Sequence, residues 1–241
     1  MKKKPRIEVC FTPNLYPLHI EDFQVVVVID VLRATSAICT AFHYGIEKII
    51  PVSTLDEAIE YREKGYLVAA ERKGKVVSGF DYGNSPFTYM NKEIKGKTLV
   101  LTTTNGTKAI NVAKNVDHLI IGSLLNLDAI CNYIKKLNKN VLLLGSGWQN
   151  KFCLEDTICS GAIVNQLLSS NNFISESDSS VAAKYLYKSA RDNYFGYLKA
   201  SSHRKRLNKL NLNRDIKYCL TPNQTNVVPK REDNYLILSN S

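Results

Sequence analysis

The chain has 241 residues, 44% of them hydrophobic and 22% charged, with a formal net charge of +10. That length can bury a core for one large α/β domain or two small ones, and the mixed composition excludes a disordered or fibrous chain. No apolar run approaches the roughly 18–20 residues that a membrane-spanning helix needs, so no transmembrane segment is expected.

The chain begins Met1-Lys2-Lys3-Lys4-Pro5-Arg6. Glu8 and Pro13 interrupt the next residues, so no apolar stretch of signal-peptide length exists and a cytoplasmic location is expected. Six cysteines, at positions 10, 39, 131, 153, 159 and 219, form no C-x-x-C pair and read as buried, reduced thiols.

Gln24–Asp30 (QVVVVID) is short and β-branched, the pattern of a central strand buried on both faces. A helix over Ala34–Tyr44 is closed by Gly45, and Lys48–Val52 is a short strand. Thr54 with Glu57 three residues on makes a capping box for a helix ending at Gly65. Leu67–Ala70 and Lys97–Leu101 are strands, Asn105-Gly106 opens a helix to about Lys114, and His118–Ile121 is a strand. Asn126 caps a helix over Leu127–Leu137, Val141–Leu144 is a strand, and Leu154–Leu168 is a helix. Such alternation predicts a three-layer α/β/α fold with a mostly parallel sheet. Ser169–Ser180 (SSNNFISESDSS) is the candidate mobile loop or boundary. It divides a core of residues 1–169 from a helical, basic segment of residues 170–241, which ends in a candidate edge strand at Tyr235–Leu238.

Ligands of open parallel sheets bind outside the carboxyl ends of the strands. Here those positions are polar: Asp30 to Ser36, Glu71 to Gly74, Thr102 to Thr107, and Gly145-Ser146-Gly147 followed by Glu155-Asp156. Asp30 ends an apolar strand, where a carboxylate is costly unless paired or metal-bound, although it could also cap the next helix. Arg33 follows near that helix start, an unfavourable place for a cation without an anionic partner. The Thr102-Thr103-Thr104-Asn105-Gly106 segment offers hydroxyl donors and a close backbone approach. Gly79 to Pro86 could present Asp81 and the Gly83–Ser85 amides, or serve as a connection with Pro86 opening a helix. Glu155 and Asp156 open a helix and suit a hard cation. None of His19, His43, His118 and His203 stands near another in sequence, as zinc-ligating histidines commonly do.

Together, Asp30-Val31-Leu32-Arg33-Ala34-Thr35-Ser36, Gly79-Phe80-Asp81-Tyr82-Gly83-Asn84-Ser85-Pro86, Thr102 to Thr107 and Leu154-Glu155-Asp156 resemble the 2-phosphosulfolactate phosphatase, or ComB, family. Ser202-His203, Asp215-Ile216 and Val228-Pro229 resemble its C-terminal signature, so the likeness spans about residues 6 to 230. The resemblance implies a ComB-like fold and Mg²⁺-dependent hydrolysis of 2-phospho-3-sulfolactate to 3-sulfolactate and phosphate, a step toward coenzyme M in methanogenic archaea. This sequence departs from the pattern at Gly147–Lys151 and over Thr221–Asn226, which bears on recognition of the substrate's side chain.

On this reading Asp30, Arg33, Glu155 and Asp156 are the catalytic candidates, and Mg²⁺ is held among Asp30, Asp81, Glu155 and Asp156. Arg33 and Arg72 bind phosphate or sulfonate. Ser36, Asn84, Ser85, Thr103, Thr104, Asn105, Gly106 and Ser146 complete the substrate site. The nucleophile is either a carboxylate or a water held by the metal. The expected partner is a small anionic phosphorylated substrate, with no membrane; a homodimer is left open. A haloacid-dehalogenase-type phosphatase needs a second acid two residues after the first, and position 32 is Leu. The alternatives are a phosphate-ester binder without turnover and a nucleic-acid binder. The second is suggested by the basic stretch near His203–Lys217, but the nearby aromatic residues precede that stretch instead of interleaving with it.

Overall fold

The run Val25–Ile29 forms strand β2 with every side chain buried, as a strand covered on both faces must be. The computed structural model describes residues 3–239; Met1 and Lys2 of the basic start, and Asn240 and Ser241, lie outside them. The other strands are β1 (Ile7–Cys10), β3 (Lys48–Pro51), β4 (Leu67–Arg72), β5 (Lys75–Val76), β6 (Thr98–Thr102), β7 (His118–Gly122), β8 (Val141–Gly145), β9 (Pro229–Glu232) and β10 (Tyr235–Leu238). They form one sheet in the order β1-β8-β2-β7-β9-β10-β3-β6-β4-β5. The α-helices are α1 (Ala34–His43), α2 (Leu55–Glu63), α3 (Gly106–Val112), α4 (Leu127–Leu137), α5 (Leu154–Ser169), α6 (Asp178–Ala190), α7 (Tyr194–Tyr197), α8 (Ser202–Asn208) and α9 (Asn213–Cys219). The fold is three-layered α/β/α. One face of β2, β7 and β8 packs on α4, α5, α6, α8 and α9, and the other on α1 and α3.

Two parallel blocks make up most of the sheet. In the first, β1, β8, β2 and β7 pair in register, so that Val27 lies between Leu143 and Ile120. In the second, β6 lies between β3 and β4. The β9–β10 hairpin joins them through single antiparallel pairs, Ile120 with Lys230 and Leu236 with Ile49. Three antiparallel steps therefore separate the blocks, and they run in opposite senses. The expected edge strand at Tyr235–Leu238 is thus an interior one. Its Leu236 side chain is fully buried in the core beside Ile49 and Leu99, which holds the strand between neighbours.

The capping box of Thr54 and Glu57 is present at α2. Pro86 opens a 3-10 turn over Pro86–Tyr89. The polar stretch before α6 is tied down: Ile174 exchanges backbone bonds with Pro5 and Ile7, Phe173 is buried, and Ser177 caps α6. Beyond Arg72 the chain folds back through Lys73 and Gly74, both with positive φ, into β5. This is the mirror-image two-residue turn that suits strand twist. All six cysteines are buried and unbonded to one another.

Candidate active site

Asp30 leaves β2 into a buried cluster of polar groups. Its Oδ1 accepts the Ala34 amide at 3.3 Å, and its backbone carbonyl accepts the Thr35 hydroxyl at 2.8 Å. No described residue donates a hydrogen bond to Oδ2. The start of α3, from the opposing block, lies against that oxygen: a Cβ on Gly106 would stand 3.1 Å from Asp30 Oδ2, 3.2 Å from Thr103 Oγ1 and only 2.6 Å from Ala34 Cβ. Glycine is required there because a Cβ would overlap the Ala34 methyl, so the two helix starts leave no room for a side chain. The carboxyl ends of two oppositely directed blocks therefore meet at Asp30.

Four acids share this neighbourhood. Burial pushes the Asp30 carboxyl up to about 6; His203 and the Ala34 amide oppose the rise, and the charges of Glu71 and Glu155 add to it. Burial, with the charges of Asp30 and Glu155, holds Asp156 well above the usual carboxylate range. Its two oxygens accept the amides of Val31 at 2.9 Å and Gly147 at 3.3 Å, bracing the β2 and β8 turns together. Burial would raise Glu155 too, but His203 and Ser201 hold it below its ordinary range. His203 Nδ1 donates to Glu155 Oε1 at 2.6 Å and Ser201 Oγ to Oε2 at 3.3 Å. Glu71 accepts the Gly74 amide on Oε1 and Asn84 Nδ2 at 3.1 Å on Oε2.

The other expected residues fall into three groups. Thr103 is buried, with Oγ1 accepting the Thr107 amide at 3.0 Å beside Gly106. Ser146 Oγ and Asn84 Oδ1 are buried without a hydrogen-bond partner among the described residues, an arrangement that polar atoms in a core seldom keep unless a ligand or water completes them. Both arginines expected to bind phosphate are engaged by protein. Arg33 donates to Asp215 Oδ1 at 2.8 Å and to Gly74 O at 2.8 Å, and Arg72 to Glu71 O at 2.8 Å and Thr102 Oγ1 at 3.1 Å. Ser36 spends its hydroxyl on Val31 O and Ser123 Oγ. Asp81 and Thr104 are exposed, and Ser85 and Asn105 are half-buried at the openings of the turn and of α3, with no side-chain cap bond.

Sequence reasoning left Glu71, Cys153, Arg206 and the pairing of His203 with Glu155 unassigned. Ligand atoms of Cys153, Glu155 and His203 all lie within 4.8 Å of one another. Burial and the adjacent acids drive the Cys153 thiol far up. Sulfur is a soft ligand that hard cations do not favour, and Glu155 and His203 are bonded to each other. The hard oxygens on offer are those of Asp30, whose Oδ2 accepts no hydrogen bond from a described residue, and of Asp156, each of whose oxygens already accepts one backbone amide. Their neighbourhood carries Glu71 and Glu155 besides, while Arg33 is already matched by Asp215. A buried cluster of acids with one free carboxyl oxygen suits a small divalent cation.

A model of the 2-phosphosulpholactate phosphatase family matches residues 10–234. The chain belongs to the 2-phosphosulfolactate phosphatase family. Its class is therefore that of the phosphoric monoester hydrolases. A protein of Caldanaerobacter subterraneus subsp. tengcongensis is 42% identical over 209 residues, 85% of this chain and 86% of its own length. One of Clostridium acetobutylicum is 39% identical over 208 residues, covering 85% and 88%, and one of Thermotoga maritima is 40% identical over 212 residues, covering 88% and 91%. Each carries the name "Probable 2-phosphosulfolactate phosphatase". Among the described residues no helix is long and apolar enough to cross a membrane.

Proposed function

We propose that this chain is a Mg²⁺-dependent, cytoplasmic phosphatase that hydrolyses the phosphate ester of a small anionic hydroxy acid, with 2-phospho-3-sulfolactate as the substrate and 3-sulfolactate and phosphate as products. The observation that carries the reading is the Asp30 carboxylate, buried where the two sheet blocks meet, with one oxygen free. Six buried cysteines, none of them bonded to another, support a reducing compartment.

Asp30 and Asp156 would hold the ion, which when bound supplies positive charge against the ester dianion and the departing oxygen. The remaining work falls to side chains. Thr103, whose Oγ1 accepts the Thr107 amide, keeps its hydroxyl proton for a phosphate oxygen. Ser146 Oγ offers a second hydroxyl donor. Arg72, anchored through two of its nitrogens, keeps further N–H groups for the phosphate. Glu155 fixes the His203 ring through Nδ1; only the doubly protonated imidazolium then carries an Nε2 proton to give to the leaving oxygen, as a positioned general acid does. Most of the catalysis in phosphoryl transfer is charge stabilisation and alignment, and the fixed, buried donors around Asp30 suit that requirement.

The test is phosphate release from 2-phospho-3-sulfolactate with the metal removed by EDTA and then restored with MgCl₂. Turnover that disappears with EDTA and returns with Mg²⁺ is expected. No release from this ester, or from other 2-phospho hydroxy acids, in the presence of Mg²⁺ overturns the reading.

A further inference from the structure

Three arginines stand around the site, and two are anchored by protein acceptors. The third, Arg206, differs. Its guanidinium carbon lies 3.9 Å from the centroid of the Trp148 ring. Nη1 makes only a long 3.4 Å bond to Ser202 Oγ, and Nη2 is buried with no partner among the described residues. A buried cationic donor left unpaired costs more than an ordinary unmade hydrogen bond.

The surroundings place this group at the site. His203 and Arg206 are three residues apart on α8 and so share one helix face. Arg206 is near enough to Cys153 for its charge to oppose the rise of that thiol, and Cys153 Sγ lies within 4.8 Å of ligand atoms of Glu155 and His203. The indole beneath the guanidinium is held in place. Trp148 and Lys151 exchange backbone bonds of 3.0 and 2.9 Å across Gln149 and Asn150, both with positive φ. Asn150 is tied to Lys108 Nζ at 2.7 Å, and the Gly147 amide is bound to Asp156. Ser146, with its unpartnered hydroxyl, precedes this turn.

We propose that Arg206, laid on Trp148, is a second anion subsite. It binds the oxyanion at the far end of the substrate, a sulfonate or carboxylate, and so selects phosphate esters that carry a second negative group. The inference rests on the reading under Proposed function and deepens it. A planar guanidinium offers two parallel N–H donors to such a group, and stacking on an aromatic ring keeps it oriented without using those donors. Discrimination of this kind is large because the unmatched buried donor penalises a substrate that lacks the oxyanion.

Calorimetric binding of the product 3-sulfolactate, with no Mg²⁺ and no turnover, tests the subsite directly. The wild-type protein is expected to bind it, Arg206→Gln to bind at least ten-fold more weakly, and Arg206→Lys to fall between, because Lys keeps the charge but not the plane. Trp148→Phe should bind better than Trp148→Ala. Lys205→Gln, an exposed charge removed from the same helix, should bind like wild type. Equal affinity of wild type and Arg206→Gln, or no binding by wild type, overturns the subsite. Kinetics then separates the two readings. In comparisons of 2-phospho-3-sulfolactate with isopropyl phosphate, Arg206→Gln should lose at least ten-fold more kcat/KM on the anionic ester, mainly through KM. Equal loss on both esters sinks the subsite alone, whereas absence of Mg²⁺-dependent phosphate release by wild type sinks the phosphatase reading.

Discussion

The first parallel block has two ends that obey different rules. At the amino ends of its strands, charges are exposed and loosely paired: Arg6 with Asp22 at 3.1 Å, and Lys139 with Asp117 at 3.9 Å, the acids being 59% and 63% exposed. At the carboxyl ends, Asp30, Glu155 and Asp156 are buried. They lean on one another, on backbone amides and on a single histidine. Folding alone gives no reason to gather acids in a core, because an uncompensated buried charge is expensive. The contrast makes the carboxyl ends the costly part of the block, the part on which the proposed chemistry rests, and substitutions at the two ends should differ in size and in sign.

The largest stability effect should come from the ion pair that holds the carboxyl ends together. Arg33 and Asp215 are 5% and 9% exposed and meet at 2.8 Å. Arg33 also binds Gly74 O, so the pair joins α9 and the β4–β5 turn to the start of α1. Asp215→Ala would strand a buried guanidinium, a loss of about 3–5 kcal/mol. Chemical denaturation should show that loss as a lower midpoint. A cost under about 1 kcal/mol would mean that the pair is as solvated as those at the amino ends.

Asp30 should behave in the opposite sense. Its folded-state pKa, about 6, lies above the ordinary 3.8. The protonated carboxyl therefore contributes stability below about pH 4, and this is lost as pH rises through about 6. Above that the ionised group costs on the order of 1–3 kcal/mol. In EDTA, Asp30→Asn should be more stable than wild type at pH 7.5 by about that amount, and the two should converge below about pH 4. The same variant should lose on the order of 10³-fold in phosphate release. If Asp30→Asn were instead less stable than wild type at every pH, Asp30 would be a structural cap.

Much of the fold was legible because β-branched and alternating runs report burial directly. β2, β7 and β8 lie within a residue or two of their expected limits, as does α4. The misses share a cause. β1 carries Glu8 within its apolar run, β9 reads Pro-Lys-Arg-Glu, and both are strands because of what they pair with. Pairing across long stretches of sequence leaves no local pattern, so the reversal of the second block could not be read beforehand. The site divides in the same way. Asp30, Thr103, Gly106 and Asp156 announced themselves by their places after strands or at helix starts. Glu71 carries the same strand-end signal as its neighbour Arg72. His203 reaches Glu155 from α8, with Arg206 three residues on along the same helix, and that spacing was the available sign.

The smallest effect belongs at the amino ends. Lys139 and Asp117 are 40% and 63% exposed and 3.9 Å apart, so water and salt screen them well. Pairs of this kind contribute about 0–1 kcal/mol. Lys139→Ala should therefore shift the unfolding midpoint little, with most of the shift removed in 1 M NaCl, and it should leave phosphate release unchanged. The comparison of the two ends depends on this variant as much as on the large ones. If Lys139→Ala cost as much as Asp215→Ala, burial would not be what separates the ends, and the acids around Asp30 would need no functional explanation.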